Sequence, residues 1–122
     1  ETSPTAPYTK LAKHKLTAEA NLTSLPNLFS VIIRPVWVYG SGDFASSIMT
    51  RAVCAAAYTE LNETMKFLWD ANLRVNTVHV DDVVRALWFV ATSDNVASGS
   101  IWNIADKNDT DQGKVVIFTT SL

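Results

Sequence analysis

His79, Asp81 and Asp82 bring an imidazole and two carboxylates together at one short stretch of the chain. The first chemistry to test against such a set is metal binding. A metal site needs more ligands than this local cluster supplies, and Cys54, the only cysteine, excludes a Cys-rich site and any internal disulfide. The better reading is a strand-to-helix junction whose carboxylates sit at the positive end of a helix. Cys54 itself lies in an alanine-rich run that reads as helix packing. Arg34 stands inside an apolar run and must find a carboxylate or backbone carbonyls to offset its burial. Gly40-Ser41-Gly42 opens a loop directly after that run. In open α/β sheets the carboxyl end of a strand is where ligands bind.

These residues need elements to hold them. Val31 to Gly40 is nearly continuous in apolar and aromatic side chains, too short to span a membrane, and reads as a strand buried on both faces, as in parallel sheets. Pro35 interrupts it, so pairing should loosen there and the chain should change direction. Before it, Tyr8, Ala12, Leu16 and Ala20 form one helical stripe and Leu11, Ala18, Leu22 and Leu25 a second, predicting a helix from Tyr8 to Leu25 covered on more than one side. Leu25-Pro26 ends it. A second helix, capped by Ser41 or Asp43, is expected to reach Tyr58 or Leu61, with Phe44, Ile48, Met49, Ala52, Val53 and Ala56 at helical spacing. Short strands are expected at Met65–Trp69, Arg74–Val80 and Ser100–Ala105, and a tail strand at Val115–Thr120. Between them a third helix, Val83 to Ala91, is expected to bury Val83, Val84, Leu87, Trp88, Val90 and Ala91.

The 122 residues suffice for one domain with its own core, and a 48% hydrophobic content places the chain among globular proteins. A net charge of -2 and the lack of a basic patch with interleaved aromatics argue against nucleic-acid binding. Residues 1–7 have neither the basic nor the apolar segment of a signal peptide, so a cytoplasmic location without membrane attachment is the default expectation. The sequons at Asn21, Asn62 and Asn108 carry little weight without such a signal. The first residue is not Met, which suggests a fragment or a processed piece.

Four stretches, in this order, resemble one family. Pro7-Tyr8-Thr9-Lys10-Leu11-Ala12-Lys13-His14-Lys15-Leu16-Thr17-Ala18-Glu19 is similar to the helix with the family's Tyr-x-x-x-Lys pair. Ile33-Arg34-Pro35-Val36-Trp37-Val38-Tyr39-Gly40 is similar to its L-R-P-x-x-V-Y-G segment, Val78-His79-Val80-Asp81-Asp82-Val83-Val84-Arg85-Ala86 to its H-V-D-D-V-x-x-A segment, and Ile101-Trp102-Asn103-Ile104-Ala105 to its Y-N-I-G strand. The family is the extended short-chain dehydrogenases/reductases, or NAD-dependent epimerases/dehydratases. The resemblance implies an α/β fold: the carboxyl-side half of a Rossmann-like, doubly wound parallel sheet, with part of the substrate-binding region. It would form a single partial domain over 1–122, with 7–61 closing the sheet region and 62–122 forming the substrate side and tail.

The resemblance also implies roles. Lys15 matches the lysine that holds the nicotinamide ribose and lowers the pKa of a tyrosine acid/base. Four residues before it stands Leu11, not tyrosine; Tyr8, seven residues before, falls on about the same helical face and is the candidate acid/base. Pro35, Val36 and Val38 are the further cofactor contacts implied, and Arg74 the substrate contact. The cofactor would be NAD or NADP. The pyrophosphate cradle is another matter: the four glycines, Gly40, Gly42, Gly99 and Gly113, make no G-x-G-x-x-G. Three readings stay open. The chain is part of an NAD(P)-dependent epimerase, dehydratase or reductase acting on a nucleotide sugar, sterol or similar small carbinol; or a non-catalytic relative that has lost the tyrosine; or an interaction module, with a homo-oligomer formed through the 8–25 helix.

Overall fold

A computed structural model describes residues 4–43, 47–67, 70–107 and 110–115. The first element is α1, Lys10–Ser24. Thr9 caps it, its hydroxyl accepting from the Ala12 N–H at 3.1 Å. The helix therefore starts two residues later than the periodicity suggested, and Tyr8 stays outside it. At the other end Leu25 is extended (φ -73°, ψ 121°), as a residue before proline should be. None of the α1 residues is buried. The expectation of cover on two sides is thus not met among the described residues: Leu11, Leu22 and Leu25 are exposed.

The apolar run expected to be one strand is two, β1, Ile32–Pro35, and β2, Trp37–Tyr39. They belong to different parallel sheets. β1 pairs with β4, Ile101–Ile104, in the register Ile32↔Ile101 to Pro35↔Ile104. β2 pairs with β3, Thr77–His79, in the register Trp37↔Thr77 to Tyr39↔His79. The hand-over is one residue wide. The Val36 N–H donates to the Ile104 carbonyl at 3.2 Å, and the Trp37 N–H donates to the Asn76 carbonyl at 3.3 Å. Pro35, with no N–H to give, stands just before the switch. The run is not buried on both faces either. Within it only Ile32 is buried, and Trp37 is exposed.

Beyond β2, α2 runs Ser47–Glu60. Phe44 and the segment joining the expected caps to this helix lie outside the described residues. Asn62, in the left-handed conformation (φ 52°), follows its end. Residues 65–67 form no strand, and 68–69 lie outside the described residues. The expected strand from Arg74 is shorter, because Arg74 forms an isolated antiparallel bridge with Asp111 and β3 begins only at Thr77. Both pleat faces are closed here: Val75, Thr77 and Val78 are buried. α3, Val80–Thr92, follows β3 without a loop, with Asp81 and Asp82 in its first turn. Its apolar side is not covered. Val84, Leu87 and Trp88 are exposed, Trp88 at 72%, against the expectation of burial. Among the described residues the buried apolar side chains come instead from Ile32, Ile48, Ala55, Val75, Val78, Val96 and Val115. Val115 lies in a helical turn rather than a strand, and the rest of the expected tail strand, like the Asn108 sequon, lies outside the described residues.

Candidate functional site

The carboxyl ends of β2 and β3 meet at a packed junction. His79 ends β3 and caps α3, its Nδ1 accepting from the Asp81 N–H at 3.2 Å. The cap is thus the histidine, while Asp81 and Asp82 supply the favourable charge behind it. The Tyr39 ring meets the imidazole edge-on, with centroids 5.2 Å apart. Asp106, two residues past β4, fastens the junction to the other sheet. Its carboxylate accepts from the Thr77 hydroxyl at 3.2 Å and the His79 N–H at 3.3 Å, and its own N–H donates to the Thr77 carbonyl at 2.7 Å. Burial pushes the Tyr39 hydroxyl above its ordinary value of 10.0, and Asp106, by its charge and a hydrogen bond, and the Asp82 charge push the same way. Tyr39 is therefore held neutral at physiological pH and is unsuited to act as a base. Gly40 closes the junction. At φ +133° it adopts a backbone other residues avoid, and a Cβ there would stand 2.7 Å from Val80 Cγ1 and 3.0 Å from His79 Nε2.

The second region joins α1 to β1. Arg34 grips Glu19 with a two-pronged contact: Nε donates to Oε1 at 3.0 Å, and Nη2 donates to Oε2. This carboxylate is the partner the sequence demanded for Arg34. The guanidinium holds the Glu19 carboxyl below the ordinary value of 4.5, chiefly through the hydrogen bond and against a desolvation that opposes it. Lys15 lies one helical turn before Glu19, on the same face, and is exposed. Leu11 continues that face a turn further, 66% exposed. Tyr8, at 92% exposed, precedes the cap, so the two-turn spacing to Lys15 is not a helical one. Val36 and Val38, on either side of Trp37, are partly buried and Pro35 is exposed. Arg74, exposed, stands at the bridge to Asp111, on an open cleft of about 380 Å³ with Val36, Trp37, Arg51, Leu73, Val75 and Asn76.

Sequence reasoning missed Tyr39, Asp106 and Arg51. The first two are brought to His79 by pairing across long separations, and Arg51 reads in sequence as one polar residue of a helix. Among the described residues no group of three or more His, Cys, Asp or Glu is placed to hold a metal, and no helix is long and apolar enough to cross a membrane.

Parallel strands that exchange partners at a proline, with a helix clamped on the first of them, define a piece of a Rossmann-like α/β fold. Residues 1–105 match the NAD dependent epimerase/dehydratase family, and the chain belongs to it. Among solved structures it is similar to RMD from Pseudomonas aeruginosa complexed with NADPH, at 18% identity and a TM-score of 0.77 over 96% of this chain and 41% of that one. It is also similar to dTDP-glucose 4,6-dehydratase from Bacillus anthracis str. Ames in complex with NAD (18%, TM-score 0.77, 99% and 38%). A third is UDP-N-acetylglucosamine 4-epimerase from Methanobrevibacter ruminantium M1 in complex with UDP-N-acetylmuramic acid (18%, TM-score 0.75, 96% and 38%). The chain spans about two fifths of the length of these proteins. No curated protein matches it significantly.

Proposed function

We propose that this chain supplies the nicotinamide side and part of the substrate side of an NAD(P)-dependent epimerase, dehydratase or reductase acting on a nucleotide sugar, sterol or similar carbinol. The observation that carries this reading is the Arg34–Glu19 clamp. It fixes the rotation of α1, and with it the face that bears Lys15. Residues 25–31 turn the chain from α1 into β1. One turn back from Glu19 therefore leads toward Lys15, while β1 advances from Arg34 toward Pro35 and Val36. Exposed Lys15, one turn before the clamped Glu19, fits the ribose of a nicotinamide nucleotide, and Pro35, Val36 and Val38 fit the apolar edge of its ring. When bound, that ring exchanges hydride with the substrate's carbinol carbon. In this reading Lys15 donates hydrogen bonds to the ribose hydroxyls, Tyr8 gives or takes the substrate hydroxyl proton, and Arg74 holds a polar substrate group.

The test uses nicotinamide mononucleotide, which needs no pyrophosphate cradle. Saturation-transfer NMR on the chain should detect its nicotinamide ring. Lys15→Ala should abolish the signal, while Lys13→Ala, about 200° around the helix, should preserve it. Equal effects of the two substitutions would overturn the assignment. NAD and NADP themselves should bind weakly, since no G-x-G-x-x-G is present.

Leu11 favours a second reading, a non-catalytic relative that keeps the fold. In a full-length parent enzyme, dehydrogenase activity that appears only with Leu11→Tyr supports this reading; turnover without the substitution that depends on Tyr8 excludes it. We further propose that the 8–25 segment, α1 with its flanking residues, mediates self-association through exposed Tyr8, Leu11, Leu22 and Leu25. Sedimentation should show oligomers that Leu11→Glu with Leu22→Glu dissociates; a monomer at all concentrations would refute this.

A further inference from the structure

The cap of α3 carries an inference that uses none of the residues assigned to cofactor or substrate. α1 is capped by Thr9, whose hydroxyl accepts from the Ala12 N–H whatever the physiological pH. α3 is capped by an imidazole, His79, whose Nδ1 accepts from the Asp81 N–H at 3.2 Å. That contact requires the neutral ring with its proton on Nε2, because a protonated imidazole has two donors and no acceptor. Histidine is the side chain that changes charge between about pH 5 and 8. A cap of this kind, unlike a hydroxyl, is therefore open to removal by a proton.

A second partner for the ring is already in place. Asp81 Oδ2 lies 3.5 Å from Nδ1, so the ring that accepts from the Asp81 backbone when neutral faces the carboxylate of the same residue when charged. The other edge of the ring rests on Gly40, where a Cβ would meet Nε2 at 3.0 Å and Cδ2 at 3.4 Å. Gly40 in turn starts a tight turn, its carbonyl accepting from the Asp43 N–H at 3.2 Å. The titratable and charged groups around the ring are Asp81 and Asp82 from α3, Tyr39 from β2 and Asp106 beyond β4, with Arg85 paired to Asp82 at 3.1 Å. The carboxylates favour a charged ring, and the positive end of α3 opposes one.

We propose that His79 is a proton-operated latch on α3. Neutral, it caps the helix at the Asp81 amide. Taking up one proton at Nδ1, it releases that amide, donates instead to the Asp81 carboxylate, and loosens the first turn of α3 together with the turn at Gly40. The change stays local. Asp106 holds β3 through the Thr77 hydroxyl and the His79 backbone N–H, neither of which depends on the state of the ring.

The experiment follows the whole chain by NMR from pH 8 to pH 5. At pH 8 the His79 ring should carry its proton on Nε2. On acidification the Asp81 and Gly40 amides should shift with the same midpoint as the His79 ring. Exchange protection of the Asp81 amide, corrected for the intrinsic pH dependence, should fall about tenfold, as for loss of one ordinary hydrogen bond. His14, the only other histidine, lies on exposed α1, and its titration should move neither amide. His79→Asn, which accepts at every pH in this range, should abolish the coupled shifts, and Asp81→Asn should move them to lower pH. A proton on Nδ1 at pH 8, a ring that stays neutral down to pH 5, or an Asp81 amide that does not follow the ring would overturn the proposal. So would coupled shifts that survive His79→Asn or stay unmoved in Asp81→Asn. Should either variant fail to fold, the tautomer and the midpoints in the unsubstituted chain decide it.

Discussion

The β2–β3–α3 junction and the α1–β1 edge use polar groups in opposite ways. At the junction, polar groups are knitted to backbone. Asp106 accepts from Thr77 and His79, and His79 accepts from Asp81. Gly40 brings the backbone in so close that no side chain fits. At the α1–β1 edge the tie is between side chains, Glu19 with Arg34, and the helix it holds buries no residue. The junction is built for rigidity. The edge presents a clamped helix with an exposed lysine and an apolar surface. A rigid junction beside an orientable, accessible face is an arrangement in which one region fixes geometry and the other meets ligands or partners.

The sharpest way to break this contrast is at Gly40. Gly40→Ala combines a backbone strain with a Cβ that collides with Val80 and His79, and should cost about 3 kcal/mol or more in urea unfolding. Gly42→Ala has a similar strain (φ +90°) but nothing within 4 Å, and should cost only about 1–2 kcal/mol. Equal losses would show that the junction is not packed as described.

Arg34→Met should rank next. It leaves Glu19 partly buried without its partner, at a cost of about 1–2 kcal/mol at neutral pH, between the values for exposed and buried pairs. The pH dependence carries a sign. The folded value for Glu19 lies below the ordinary 4.5, so its contribution is present above about pH 4.5 and is lost as acid protonates the carboxylate. Arg34→Met should flatten that acid limb. The junction should respond at the other end of the scale. The Tyr39 hydroxyl is raised above 10.0, so its contribution is present below about pH 10 and is lost as pH climbs through the folded value. Tyr39→Phe should remove this alkaline limb and leave the acid one. Thermal melts across pH would read both limbs, and a Tyr39→Phe variant with an unchanged alkaline limb would count against the Asp106 contact.

A smaller effect is expected at the α3 cap. His79→Ala should cost about 1 kcal/mol by removing the acceptor for the Asp81 N–H, and His79→Asn should restore most of it. The smallest stability effect belongs to Lys15→Ala, within about 0.5 kcal/mol because the side chain is exposed. If that change alters nicotinamide mononucleotide binding without altering the melting temperature, the edge is separated from the junction by function as well as by packing.

What lies near in sequence was legible in it. The stop at Leu25-Pro26, the carboxylates at the start of α3, the disturbance at Pro35 and the need of Arg34 for a carboxylate all follow from local rules of dihedral, capping and charge, and the structure carries each of them. The family motifs were legible for the same reason, since each is a short contiguous string. The partners that act across the chain were not. Glu19 finds Arg34 fifteen residues on, and Asp106 reaches Thr77 and His79 across 29 and 27 residues, contacts that exist only once helix and sheets have docked. Apolar stripes on α1 and α3 are periodic whether or not anything covers them, so the pattern predicted burial where Leu11 and Trp88 are exposed. The change of sheet at Val36–Trp37 needed β3 and β4 both in place, because a strand's own residues state that it can pair but not with which neighbour. Arg51 over Trp37 is the extreme case: neither residue type nor spacing announces a stacked cation with an unused donor, and only the tertiary placement of Arg51 over the Trp37 ring creates one.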